Sequence, residues 1–166
     1  MSDELGQRGA TGELCLFGGT VMVLSFAARL STKDVDAIFQ PTQTIRQVAE
    51  KVGIDNQLPA QWLNDAVKGF VSHKHETVSG NLPQFPHLRL TMPVPEYLLA
   101  MKCMAARIGA VGGEADDVND IIFLIKHLQL KDAEAVMDIV TAYYPKDKIP
   151  VKAQYLVEGL FAEGKI

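Results

Sequence analysis

A chain of 166 residues, 48% hydrophobic and 22% charged, is long enough to bury a real core and reads as one globular unit or two small lobes. Its formal charge of −4 supplies no basic field for non-specific nucleic-acid binding. No apolar stretch approaches the roughly 18 residues that span a bilayer, and the acidic opening "MSDELGQRG" lacks the basic end and apolar middle of a signal peptide.

The two cysteines, Cys15 and Cys103, fall in apolar runs outside any CxxC pattern. Two unpaired thiols in a reducing compartment, the cytoplasm, are expected, and a zinc site is not.

In chain order, "ELCLF" (13–17) is a short apolar run stopped by Gly18 and Gly19, as a buried strand is at a turn. A helix is expected over 20–30, although its valines favour it only weakly. Residues 34–39 read as a strand on which Asp34 and Asp36, two apart, share a side. The run "TQTIRQVAEKVGI" predicts a helix capped by Thr42 or Thr44, with Ile45, Val48, Ala49 and Val52 as its stripe. A further helix is predicted in "PAQWLNDAVKGFV", where Pro59 suits the first turn and Trp62, Leu63, Ala66, Val67 and Phe70 form an apolar face.

Turn residues crowd the next segment, with short strands expected near 74–78 and 87–92. From Pro95 four helical runs follow, broken by glycine or proline: "EYLLAMKCMAARIG", "ADDVNDIIFLIKHLQ", "KDAEAVMDIVTAYY" and "VKAQYLVEGLFAEG". The predicted fold class is therefore α+β, a small mixed-sheet lobe over 1–92 followed by a helical lobe over 93–166.

Paired carboxylates beside a glycine turn suit metal-dependent phosphoryl or nucleotidyl transfer, because magnesium takes oxygen ligands and shares its shell with phosphate. Glycines at 18 and 19 let the backbone approach a phosphate, and Thr20 opens the expected helix there. A GG pair and a DxD are each common in turns and solvated strand ends.

The order strand, Gly18-Gly19, helix, "RLSTKDVD" resembles the signature of the polymerase-beta-type nucleotidyltransferase superfamily, and more closely its minimal AbiEii-like branch, which includes toxins of toxin-antitoxin systems. Arg29, Thr32, Asp34 and Asp36 occupy the branch's arginine, threonine and DxD places. A second block matches its lysine, alanine, arginine and DxxD helix through Lys102, Ala105, Arg107, Asp117 and Asp120, so that the resemblance runs from 13 to 128.

The resemblance implies a nucleotidyltransferase fold and magnesium- or manganese-dependent transfer of a nucleoside monophosphate from a nucleoside triphosphate to an acceptor hydroxyl on a protein or transfer RNA, with an antitoxin as a further partner. It implies Asp34 and Asp36 as metal ligands and catalytic residues. Gly18, Gly19, Thr20, Arg29, Thr32 and Lys102 would bind nucleotide, with Lys102 and Asp120 also catalytic.

Lysine in an apolar helix must snorkel, pair with a carboxylate or reach a phosphate. Asp117 and Asp120, three apart, share a helix face, and Asp117 alone could serve the helix start. Arg29 and Arg107 could equally be structural partners of these acids. The wider superfamily often adds a third carboxylate from a later strand, but "HLRLTM" contains no acid and Glu76 in "KHETV" is the substitute at hand. That gap leaves a second expectation open: a catalytically degenerate member acting as a nucleotide-binding or protein-interaction module. A third is a helical domain gripping a partner through an exposed stripe of "ADDVNDIIFLIKHLQL".

Overall fold

The computed structural model describes residues 1–106 and 114–166. Among them the chain forms seven α-helices and one five-stranded mixed sheet, an α+β fold. It divides into two compact units, the first comprising Met1–Gly69 with Thr77–Pro93 and the second Phe70–Glu76 with Val94–Ile166.

In the first unit a short helix α1 (Ser2–Gln7), for which the sequence carried no periodic signal, precedes β1 (Gly12–Leu16). Helix α2 (Gly18–Leu24) follows directly, then β2 (Val35–Gln40), α3 (Thr42–Asp55), β3 (Leu63–Asn64), a 3-10 turn at Ala66–Phe70, β4 (Thr77–Val78) and β5 (Leu88–Pro93). The strand order is β3-β2-β1-β5-β4. β1 lies centrally, antiparallel to β2 and parallel to β5, while β3 runs parallel to β2 and β4 antiparallel to β5.

Alternation along the strands fixes which side is core. Leu14 and Leu16 on β1 and Ala37 and Phe39 on β2 are buried, and Val21 and Met22 of α2 with Ile45 and Val48 of α3 complete the set. Full burial of each large side chain contributes about 1.5–3 kcal/mol.

Three expectations for this unit are corrected. The predicted helix over 59–71 is absent: Trp62 closes a turn, its indole N–H donating to the Ala49 carbonyl at 3.0 Å, and Leu63–Asn64 form a strand. The ladder to β2, in which the Val35 N–H donates to the Trp62 carbonyl at 2.7 Å, outweighs the helical spacing of the apolar residues there. Helix α2 stops at Leu24 instead of residue 30, and Ala27 takes a positive φ of 50° that no helix continues through. No threonine caps α3; Pro41 holds the N-cap place and the Thr42 hydroxyl turns back to the Phe39 carbonyl at 3.3 Å.

The second unit contains α4 (Pro95–Ala105), α5 (Glu114–His127), α6 (Ala133–Tyr143) and α7 (Val151–Ala162). Helix α4 packs against the other three and is buried at every residue from Tyr97 to Cys103, as the central helix of a bundle must be. Ile121, Leu124 and Ile125 of α5, Val136 and Val140 of α6, and Ala153, Val157 and Leu160 of α7 are also buried. Because the α5 stripe is buried, it offers no exposed surface for gripping a partner.

The segment Phe70–Glu76 is fastened to these helices by tyrosines. The Ser72 N–H donates to the Tyr97 hydroxyl at 2.8 Å, the Ser72 hydroxyl donates to the Tyr143 carbonyl, and the Tyr144 hydroxyl donates to the Phe70 carbonyl. The rings of Tyr97 and Tyr143 stack with centroids 4.8 Å apart, and His75 meets Tyr97 edge-on. Among the described residues no helix is long and apolar enough to cross a membrane.

Candidate functional site

The first cluster lies in the sheet unit, where β1 ends and the chain turns into α2. Gly18 has a φ of 56°, a left-handed conformation that costs an L-residue about 1–2 kcal/mol. A Cβ on Gly18 would lie 2.8 Å from Oδ2 of Asp36, so the glycine's bare backbone is what gives the carboxylate its place. At Gly19 a Cβ would lie 2.6 Å from Oγ1 of Thr32 and 3.4 Å from Nη1 of Arg29. Residues 10 to 18 positions apart are thus brought onto one short stretch of backbone.

Hydrogen bonds gather the start of β2 to the same place. The Phe17 N–H donates to the Asp36 carbonyl at 2.8 Å. The hydroxyls of Thr20, which is buried, and of Thr32 both donate to the Asp34 carbonyl, at 3.2 and 3.3 Å. Asp34 itself precedes the first residue of β2 and is exposed, whereas Asp36 lies within the strand and is half-buried. Gly18, Gly19, Thr20, Arg29, Thr32, Asp34 and Asp36 therefore form one neighbourhood.

One member of that neighbourhood has no counterpart in the sequence reading. Asn64, from β3, pairs with Asp36 across the ladder, and its Nδ2 donates to Oδ2 of Asp34 at 3.4 Å. The signal in the sequence is the Asx-type turn of "LND": the Ala66 N–H donates to Oδ1 of Asn64 at 3.0 Å, two residues on.

The second cluster lies in the helical unit. Lys102, on the buried α4, is only 9% exposed, and its ammonium sits 2.6 Å from Oδ2 of Asp120 and 3.1 Å from Oδ1 of Asp117, both on α5. Asp120 is 2% exposed, whereas the Asp117 side chain keeps 31%. Of the three fates open to a lysine in an apolar helix, pairing with carboxylates is the one observed. Two acids to one base leave the trio with a formal charge of −1. Arg107 lies outside the described residues.

Glu76 also belongs to the helical unit. Its carboxylate accepts from the Tyr143 hydroxyl at 2.7 Å and lies 3.5 Å from the Lys74 ammonium. The phenol hydrogen bond holds the Glu76 carboxyl below the usual glutamate range, with Lys74 adding to the effect, and burial with the same bond pushes the Tyr143 phenol up. Among the described residues, no group of three or more His, Cys, Asp or Glu side chains comes together as a metal cluster. β5, the strand expected to lack an acid, lacks one.

The cysteines stand outside both clusters. Both are free, and Cys103 is buried in α4, where desolvation pushes its thiol up to about 12. Burial also raises Cys15, partly offset by its bond with Thr91. Neither is placed as a nucleophile, which works as the thiolate.

The residues fit a hard divalent cation at the first cluster through their donor chemistry. Asp34 and Asp36 offer carboxylate oxygens at one end of the sheet, and the Asp36 carboxylate lies against the bare backbone of Gly18. Comparison of the chain with family models, curated proteins and solved structures returned no match.

Proposed function

We propose that the chain is a magnesium- or manganese-dependent nucleotidyltransferase that moves a nucleoside monophosphate from a nucleoside triphosphate to an acceptor hydroxyl. The observation that carries this reading is the approach of Gly18 to Asp36 and of Gly19 to Thr32 and Arg29. It brings a side-chain-free backbone, a carboxylate, a hydroxyl and a guanidinium together from separate segments. Asp34 and Asp36 would hold the cation. When bound, it supplies Lewis-acid polarisation of the phosphoryl oxygens.

The protein's own share is positioning. Gly18 and Gly19 admit phosphate oxygens to the main chain, and Arg29 offers a planar fork for them. The threonine hydroxyls of residues 20 and 32 hold the main chain of Asp34. In the transfer, the acceptor oxygen bonds to the α-phosphorus as the bond to the β-phosphate oxygen breaks, pyrophosphate leaves and the hydroxyl proton passes to solvent water. Lys102 and Asp120, as a buried pair, would hold α4 against α5 within the helical unit. The acceptor is a protein side chain or transfer-RNA end, a neutralising antitoxin would be the natural partner, and the cytoplasm would be the compartment.

The reading is tested by thermal melting with each of four nucleoside triphosphates, with and without magnesium. A ligand at a hundred times its Kd stabilises by about 2.7 kcal/mol. A magnesium-dependent rise that disappears in Asp34→Asn is expected; no rise at millimolar nucleotide sinks the reading. Transfer of α-labelled nucleotide into a lysate component, lost in Asp36→Asn, then separates an enzyme from a binder.

A second reading is a catalytically degenerate relative that binds nucleotide or protein without transfer. The double ion pair of Lys102 favours it, since an ammonium spent on Asp117 and Asp120 is a structural one. Melting shifts without label transfer would select it.

A further inference from the structure

We propose that Asn64 is a positioning residue of the metal site, holding the carboxylate of Asp34 in the orientation that receives a divalent cation. The assignment rests on the metal reading of Asp34 given above and adds to it a residue from β3.

Three contacts fix this residue. The ladder sets Asn64 directly opposite Asp36, so its main chain is fixed relative to β2. The Ala66 N–H donates to Oδ1 at 3.0 Å, which settles which end of the amide faces which way. A carbonyl oxygen occupied by that donor leaves Nδ2 to face Asp34, and it donates to Oδ2 at 3.4 Å.

The consequence is chemical. Asp34 stands before the strand begins and is exposed, and its main chain is held by Thr20 and Thr32. A neutral amide donor on one oxygen restrains the carboxylate's rotation and leaves the other oxygen for a cation. An amide also adds no charge, so it orients Asp34 without competing with the cation as a lysine or arginine would. Partners of this kind behind metal ligands typically change affinity by about 10–100-fold when removed.

The test is Mn²⁺ binding, read from the loss of the free-ion electron paramagnetic resonance signal as protein is added. Asn64→Ser keeps an oxygen to accept from the Ala66 N–H and removes the amide donor. Ala66→Pro keeps Asn64 and removes the N–H that orients it, while fixing φ at position 66. About a tenfold weakening is expected in Asn64→Ser and a smaller one in Ala66→Pro, each with the metal-free melting temperature of the wild type.

Wild-type Mn²⁺ affinity in Asn64→Ser overturns the assignment while leaving Asp34 as a ligand. If Asn64→Ser melts lower, Ala66→Pro decides alone, and unchanged affinity there overturns it. Binding by the wild type that Asp34→Asn does not weaken overturns the metal reading itself and this assignment with it.

Discussion

Asp36 and Gly18 are fitted to each other: the carboxylate occupies the space where any other residue at position 18 would carry its Cβ, 2.8 Å from Oδ2. The left-handed φ of 56° at Gly18 is a separate demand on the same position. Gly164 has a similar φ of 66° with nothing within 4 Å of its would-be Cβ, and so isolates the second demand from the first. Gly164→Ala should cost only the conformational penalty of about 1–2 kcal/mol. Gly18→Ala should cost more and should also abolish the magnesium-dependent melting shift, because Asp36 must move. Chemical denaturation of both variants, followed by melting with nucleotide, checks the two parts; equal costs with the shift intact would show that Asp36 yields freely.

The buried pair of Lys102 and Asp120 predicts a strongly non-additive pair of substitutions. Lys102→Met takes from Asp120, 2% exposed, the ammonium that lies 2.6 Å away, and losing one partner of a buried ion pair typically costs about 3–5 kcal/mol. Adding Asp120→Asn to that variant should restore part of the loss, since a neutral amide no longer calls for the missing ammonium. Asp117→Asn alone should cost under about 1 kcal/mol, because that carboxylate remains partly solvated. Urea unfolding of the set as a double-mutant cycle reads the coupling, and additive costs would mean that the ion pair contributes nothing specific.

The Tyr143 to Glu76 hydrogen bond makes part of the stability acid-sensitive. A glutamate whose folded pKa is depressed contributes stability that is fully present above its unfolded value, near 4.5, and is lost as pH falls through the lower folded value. Tyr143→Phe removes the largest cause of that depression. Its melting temperature should therefore fall furthest below the wild type's above pH 4.5, and the gap should narrow on acidification. Parallel melting curves over that interval show whether it does; a gap independent of pH assigns the whole effect to lost packing.

Periodicity in the sequence was a sound guide wherever helices bury one broad stripe or a whole surface. Ile45 and Val48 on α3 are buried at the spacings that marked them. It misled at 59–71, where Trp62, Leu63, Ala66, Val67 and Phe70 have helical spacing but the main chain is taken by β2. Phe70 remains 40% exposed there, so the apparent stripe was never a packed face.

The first cluster was legible because glycines and alternating aspartates are restrictive residue types at short range. Asn64 was not, because its place beside Asp34 exists only once β3 pairs with β2. The lysine and the DxxD helix were both visible, but only the packing of α4 on α5 shows how the ammonium is used.

The chain leaves the sheet unit after Gly69, contributes Phe70–Glu76 to the helices, returns for β4 and β5, and departs again after Pro93. The two units are therefore not beads on a string, and no single cut between codons separates them. A fragment ending at Pro93 would retain all five strands yet strand Phe70–Glu76, whose anchors Tyr97, Tyr143 and Tyr144 lie downstream. A fragment beginning at Val94 would expose the surfaces on which that segment lies. Moving the helical half as a cassette would therefore require the recipient to supply the seven-residue Phe70–Glu76 inlay as well.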